Sequence, residues 1–286
     1  MIIGIVGLGL MGGSFLKAIK EYTDNTCLVY DRDETVMDMA LDIADGSLDN
    51  RLTECDVVMI SLYPSATVDY VKANAGQFKK GCIVTDCCGV KKLVCEGISK
   101  IADENGFVFI GAHPMAGVEN SGFGYSKADM FCDASMILVP CGADRTLVDK
   151  YKELIYKIGF HKIVETDADN HDHMIAFTSQ LAHVVSSAYM KSPSAMKHYG
   201  FSAGSFKDMT RVAKLNEKMW TELFMENSDY LADEIDLVID NLKEYSRAIR
   251  NKDENIVFGL LKEGSDRKKA VIESERRERN NATGKS

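Results

Sequence analysis

No apolar run in this 286-residue chain approaches the ~20 residues that a membrane span needs, so no membrane role is expected. Positive charge is not in excess either. The formal net charge is -9, which argues against nucleic acid as the main partner. Cysteine is missing from the second half. The eight cysteines, Cys27, Cys55, Cys82, Cys87, Cys88, Cys95, Cys132 and Cys141, follow no zinc-ligand spacing, so no metal site is expected. Several sit in apolar strand-like runs, where a reduced thiol behaves as a small hydrophobe. Met1 leads straight into such a run without a secretory leader, and the expected location is the cytoplasm. Internal repeats and low-complexity tracts are lacking as well.

What remains is a globular composition, 45% apolar and 27% charged, long enough for one large or two ordinary domains. Up to about Asp167, short β-branched runs alternate with helix-like segments. The expected strands are Ile2–Val6, Cys27–Tyr30, Val57–Leu62, Cys82–Asp86, Phe107–Ile110, Met136–Val139 and Ile163–Val164. Near-continuous apolar strands separated by helices predict an α/β fold with a Rossmann-type, doubly wound parallel sheet. From Ala168 onward strand signals vanish. His171 to Met190 reads as one long helix, and Leu231, Ile235, Val238, Leu242, Tyr245 and Ile249 form one apolar helix stripe. That stripe packs either on its own domain or on a second subunit. The expected domains are therefore 1–167, which binds cofactor, and 168–286, an all-helical substrate and dimerisation domain. The charged tail from Lys262 to Ser286, almost without apolar residues after Ile272, is expected to fray into disorder.

The chain opens with Gly7-Leu8-Gly9-Leu10-Met11-Gly12, a G-x-G-x-x-G loop with a strand before it and a helix after it. Gly7 permits the tight turn, Gly9 lets the backbone approach a diphosphate, and Gly12 lets helix and strand pack closely. Leu10 and Met11 begin the helix whose N–H groups would face that diphosphate. Asp31 closes the second strand, about 20 residues past the loop, where a carboxylate accepts from ribose hydroxyls. It would repel a 2′-phosphate, which favours NAD; its neighbour Arg32 leaves NADP as the lesser alternative. Ser61, Asp86 with Lys91, and the loop Gly111–Glu119 also follow strand ends. In an open parallel sheet these ends share one ligand-binding edge.

Several segments now stand together. They are Gly7–Gly13, Asp86-Cys87-Cys88-Gly89-Val90-Lys91, Gly111-Ala112-His113-Pro114-Met115-Ala116-Gly117 with Glu119, His171-Asp172-His173 leading to Ser179-Gln180-Leu181-Ala182-His183, and Phe206-Lys207-Asp208-Met209-Thr210-Arg211 with Met219-Trp220. The set resembles the prephenate/arogenate dehydrogenase family of tyrosine biosynthesis over almost the whole chain. The resemblance implies NAD-dependent oxidative decarboxylation of prephenate, or of arogenate, by a homodimer joined through its C-terminal helices. A non-catalytic NAD-binding sensor is the alternative from another class.

The resemblance also assigns roles. His113 matches the catalytic histidine, and a neutral imidazole suits acceptance of a hydroxyl proton near pH 7. The plainer reading is a histidine that fixes the loop beside Pro114. Arg211 matches the arginine that holds a substrate carboxylate in its planar fork; the plainer reading pairs it with Asp208. Ser179, Gln180 and His183 match a helix face that borders substrate and nicotinamide, and Glu119 a position at the pocket mouth. Three departures stand out. Gly89 occupies the place of a family serine, Gln180 that of a histidine, and Ala182 that of a proline. The β-hydroxyacid dehydrogenases share the glycine loop, but they rely on a helix lysine that Asp169–Met190 lacks.

Overall fold

The computed structural model describes residues 1–118 and 120–282. In chain order the larger elements are β1 (Ile2–Val6), α1 (Leu10–Tyr22), β2 (Thr26–Tyr30), α2 (Glu34–Leu41), β3 (Gly46–Ser47), β4 (Val57–Ile60), α3 (Pro64–Asn74), β5 (Ile83–Asp86), α4 (Lys92–Asn105), β6 (Val108–Pro114), β7 (Ser135–Val139), α5 (Arg145–Lys157) and β8 (Lys162–Glu165). Helices follow: α6 (Ala168–Ile175), a π-helical turn over Ala176–Gln180, α7 (Leu181–Met190), α8 (Gly204–Thr210), α9 (Glu217–Glu226), α10 (Ser228–Arg250) and α11 (Glu254–Ala282).

The strands form one sheet in the order β3-β2-β1-β4-β5-β6-β7-β8. Side chains alternate between its faces, so each central strand feeds two cores. Ile3, Ile5, Val57 and Met59 join Phe15 and Leu16 of α1 and Tyr151 and Leu154 of α5 on one side. Val6, Val58, Ile60 and Val84 join Val68 of α3 and Val94 and Ile98 of α4 on the other. Both faces are covered, as the apolar runs predict.

Three expectations need correction. The segment Gly111–Pro114, read as loop, extends β6. It pairs antiparallel with β7, with Gly111 opposite Val139 and His113 opposite Ile137. The sheet is therefore parallel everywhere except at that pair. The short β3 was not anticipated. The third concerns the tail, which over the described residues continues α11 through Ala282, residues 283–286 lying outside them. Its support is local: Lys262–Asp266 at 2.5 Å and Arg267–Glu263 at 2.7 Å span one helix turn. Such pairs stabilise a polar helix by a few tenths of a kcal/mol each.

The chain divides into two compact units, the first comprising Met1–Leu231 and the second beginning at Ala232. The second unit carries exposed apolar side chains, among them Leu242, Ile249, Phe258 and Leu261. Among the described residues no helix is long and apolar enough to cross a membrane, and no group of side chains has metal-ligand geometry.

Candidate active site

The glycine loop is shaped by contacts between main-chain atoms. Gly7 takes φ +83°, and a β-carbon on it would lie 2.6 Å from the Ser61 carbonyl oxygen. A β-carbon on Gly12 would lie 1.9 Å from the Gly7 carbonyl oxygen, whereas one on Gly9 would meet nothing within 4 Å. The turn is thus closed toward the protein and open at Gly9. Gly9 is the N-cap of α1 and places no side chain over its first N–H groups. Leu10 and Met11 are half-buried at the start of that helix.

Asp31 stands beside the loop. Its carboxylate accepts from Leu8 N–H at 2.6 Å and from Asp33 N–H at 3.0 Å, which fixes it at the end of β2. Arg32 is exposed. Ser61, at the end of β4, has a buried hydroxyl with only the weak thiol of Cys87 as neighbour. An open glycine, bare helix N–H groups, a fixed carboxylate and an under-used hydroxyl fit a dinucleotide laid across this edge.

Asp86 and Lys91 differ from expectation. Both side chains have 0% exposure, and they pair with each other. The Asp86 carboxylate also accepts from Cys88 N–H and Ala112 N–H, each at 2.9 Å. Burial works against the Lys91 ammonium, but Asp86 and nearby thiols outweigh it and hold its pKa above the usual value. With no surface to offer a ligand, the pair braces the floor of the site. Ala112, which it anchors, precedes His113.

His113 is half-buried on β6, and its Nδ1 lies 2.9 Å from Nε2 of His171. His171, at 2% exposure, places its own Nδ1 2.7 Å from Asp172 Oδ1. Asp172 in turn accepts from Lys91 N–H at 2.7 Å and Lys92 N–H at 2.9 Å. It thereby caps α4, whose N-cap residue makes no side-chain cap of its own. Burial pushes the His113 pKa well below 6.5, and the neighbouring His171 and the Lys91 charge act in the same direction. The sequence placed His171 and Asp172 in a segment that carries the resemblance but assigned them no role of their own. The adjacent His-Asp pair opening the helix was the available signal.

A second group of side chains lines the helices. His183 donates from Nδ1 to the Ser179 carbonyl at 2.8 Å, and its Nε2 has no hydrogen-bond partner among the described residues. Its ring lies 3.9 Å, centroid to centroid, from Trp220. Burial lowers its pKa, and Arg211 adds a nearby positive charge. Arg211 is exposed and forms no ion pair with Asp208 among the described residues. Gln180 departs from expectation. It is buried, donating to the Leu223 carbonyl at 3.0 Å and accepting from Asn227 at 2.7 Å. Asn227 also donates to the Asp172 carbonyl at 2.8 Å. Gln180 therefore ties helices together and presents nothing to a substrate. Leu223 links the two groups, since a β-carbon on Gly89 would lie 3.3 Å from it and 4.0 Å from His113 Cε1. Glu119 lies outside the described residues.

Two family models match the chain. One, described as the nucleotide-binding domain of prephenate dehydrogenase, covers residues 15–164. The other, described as the dimerization domain of prephenate dehydrogenase, covers residues 167–263. A cyclohexadienyl dehydrogenase of Zymomonas mobilis is 31% identical over 287 residues, which span 94% of this chain and 95% of that protein. A prephenate dehydrogenase of Lactococcus lactis is 26% identical, over 93% of this chain and 76% of that protein. Among solved structures, prephenate dehydrogenase from A. aeolicus in complex with hydroxyphenyl propionate and NAD+ superposes with a TM-score of 0.83. It is 26% identical, and the match covers 95% of this chain and 98% of that one.

Proposed function

The chain belongs to the prephenate dehydrogenase family, and we propose that it converts prephenate to 4-hydroxyphenylpyruvate and CO2 with NAD as hydride acceptor. The observation that carries this reading is the setting of His113. A neutral, half-buried imidazole stands on the sheet edge that the glycine loop shares, with one ring nitrogen already engaged.

Prephenate bears a ring hydroxyl at C4 and a carboxylate at C1. NAD, when bound along Gly7, Gly9, Leu10, Met11, Gly12, Asp31 and Ser61, supplies the acceptor for the C4 hydride. His113 accepts the hydroxyl proton as the C4 carbonyl forms. Loss of CO2 then makes the ring aromatic, which supplies the thermodynamic pull. Arg211 offers a planar fork to a substrate carboxylate, and having no ion-pair partner among the described residues suits that role. His183, packed against Trp220, and Ser179 form the neighbouring wall. Asp86 and Lys91 hold the strand that carries His113.

The same reading takes residues 1–167 as the cofactor domain and 168–286 as the helical domain, in a cytoplasmic homodimer. The break between the two family models and the exposed apolar side chains of α10 and α11 support it. Arogenate, which carries an amino group where prephenate carries a keto group, is the second candidate substrate. The cyclohexadienyl name of the Zymomonas relative favours keeping it in view.

The test is NADH formation with prephenate or arogenate, each paired with NAD or NADP, beside a His113→Asn variant. Prephenate with NAD is expected to turn over. The variant should lose about 10²–10⁴-fold in kcat while still binding NAD. Turnover with arogenate alone moves the enzyme to the other branch. Binding of NAD by folded protein without any turnover establishes the sensor alternative instead.

A further inference from the structure

We propose that His171 and Asp172 form a positioning relay that fixes the tautomer of His113, leaving its Nε2 bare to receive the substrate proton. The inference rests on the reading of His113 as proton acceptor. Asp172 already accepts two main-chain N–H groups from the start of α4, so its carboxylate faces donors only. The 2.7 Å contact to His171 therefore requires a proton on His171 Nδ1. A neutral imidazole has one N–H, so Nε2 of His171 is an acceptor. The 2.9 Å contact then requires a proton on His113 Nδ1. What remains on His113 is the lone pair of Nε2.

Neutrality of His171 is the premise that matters. At 2% exposure it is shielded from water, and burial foremost lowers its pKa. The charged groups that act on the two rings are Asp172, Asp86 and Lys91. Asp172 comes with His171 from α6, and Asp86 and Lys91 come from the turn between β5 and α4. Asp86 is committed to Lys91, Cys88 and Ala112. Gly89 has no side chain to offer, although its position faces His113 Cε1. The orientation of His113 is thus set from the Nδ1 side. As Nε2 takes up a proton, the Nδ1–H to His171 bond strengthens, and the new charge is shared in the direction of the Asp172 carboxylate.

The experiment reads the tautomer directly, by ¹⁵N NMR of the imidazoles in the free full-length enzyme. His113→Asn identifies its signals. His113 is expected as the Nδ1–H form. In His171→Phe, which keeps an aromatic ring but removes the acceptor, that preference should disappear. Its kcat should fall about 10²-fold, the lower end of what a positioned base contributes, with KM for prephenate within about threefold. His171→Gln, which retains an acceptor, should recover part of kcat. A wild-type His113 protonated on Nε2 would overturn the relay, and so would wild-type kcat in folded His171→Phe. The NMR result stands even if His171→Phe fails to fold. It also stands apart from the functional reading. A fully active His113→Asn would sink the base assignment without touching the tautomer.

Discussion

The α-carbon of Gly12 faces the carbonyl of Gly7 so closely that a β-carbon there would lie 1.9 Å from the oxygen. Both partners are main chain, so neither can swing aside. Gly12→Ala must push α1 off the sheet or open the turn. We expect a loss of stability of about 1–3 kcal/mol and NAD affinity reduced by more than tenfold. Thermal unfolding and calorimetric titration with NAD check the two effects separately. Unaltered NAD affinity would show that the loop does not shape the cofactor site.

Lys91→Met leaves the Asp86 carboxylate buried without its counter-charge. Stranding one member of a buried pair costs about 3–5 kcal/mol. Denaturant unfolding should show that loss in the single variant. The double variant Asp86→Asn with Lys91→Met should recover part of it, because no charge is left behind. Equal destabilisation in both would mean that packing, not charge, is at stake.

His113 and His171 are held below the ordinary histidine value of 6.5, in both cases chiefly by burial. Unfolding returns each to about that value, so below it the unfolded chain binds more protons than the folded one. Their contribution to stability is complete above pH 6.5 and is lost as the pH falls toward the depressed folded values. The melting temperature should therefore be level near neutrality and decline from about pH 6.5 downward. In His113→Asn that decline should be shallower. The acid limb of kcat/KM should also lie below pH 6.5, and a limb above it would contradict a buried neutral base.

Gly89→Ser should remain active. The backbone at 89 does not require glycine, since its φ lies outside the left-handed region, and the nearest obstacle is the movable end of the Leu223 side chain at 3.3 Å. We expect kcat within about threefold of the parent and stability within about 1 kcal/mol. A folded but inactive variant would show that this turn needs glycine after all.

The glycine loop, most of the strands and the long helix were legible because each rests on local periodicity and punctuation. His113 was legible as chemistry but not as structure. Gly111, Pro114 and Gly117 look like loop residues, yet the partner that makes Gly111–Pro114 a strand lies on β7, far along the chain. Gln180 misled for a geometric reason. The resemblance alone put it beside the substrate, whereas the π-helical turn over Ala176–Gln180 buries it against Leu223 and Asn227. Asp86 and Lys91 stood at the right strand end, but nothing local announces that two opposite charges will be buried against each other.

The Asp172 carboxylate caps the first turn of α4 and also holds His171. One carboxylate thus serves the helix start and the His171 ring at once, so a substitution at Asp172 would loosen both together.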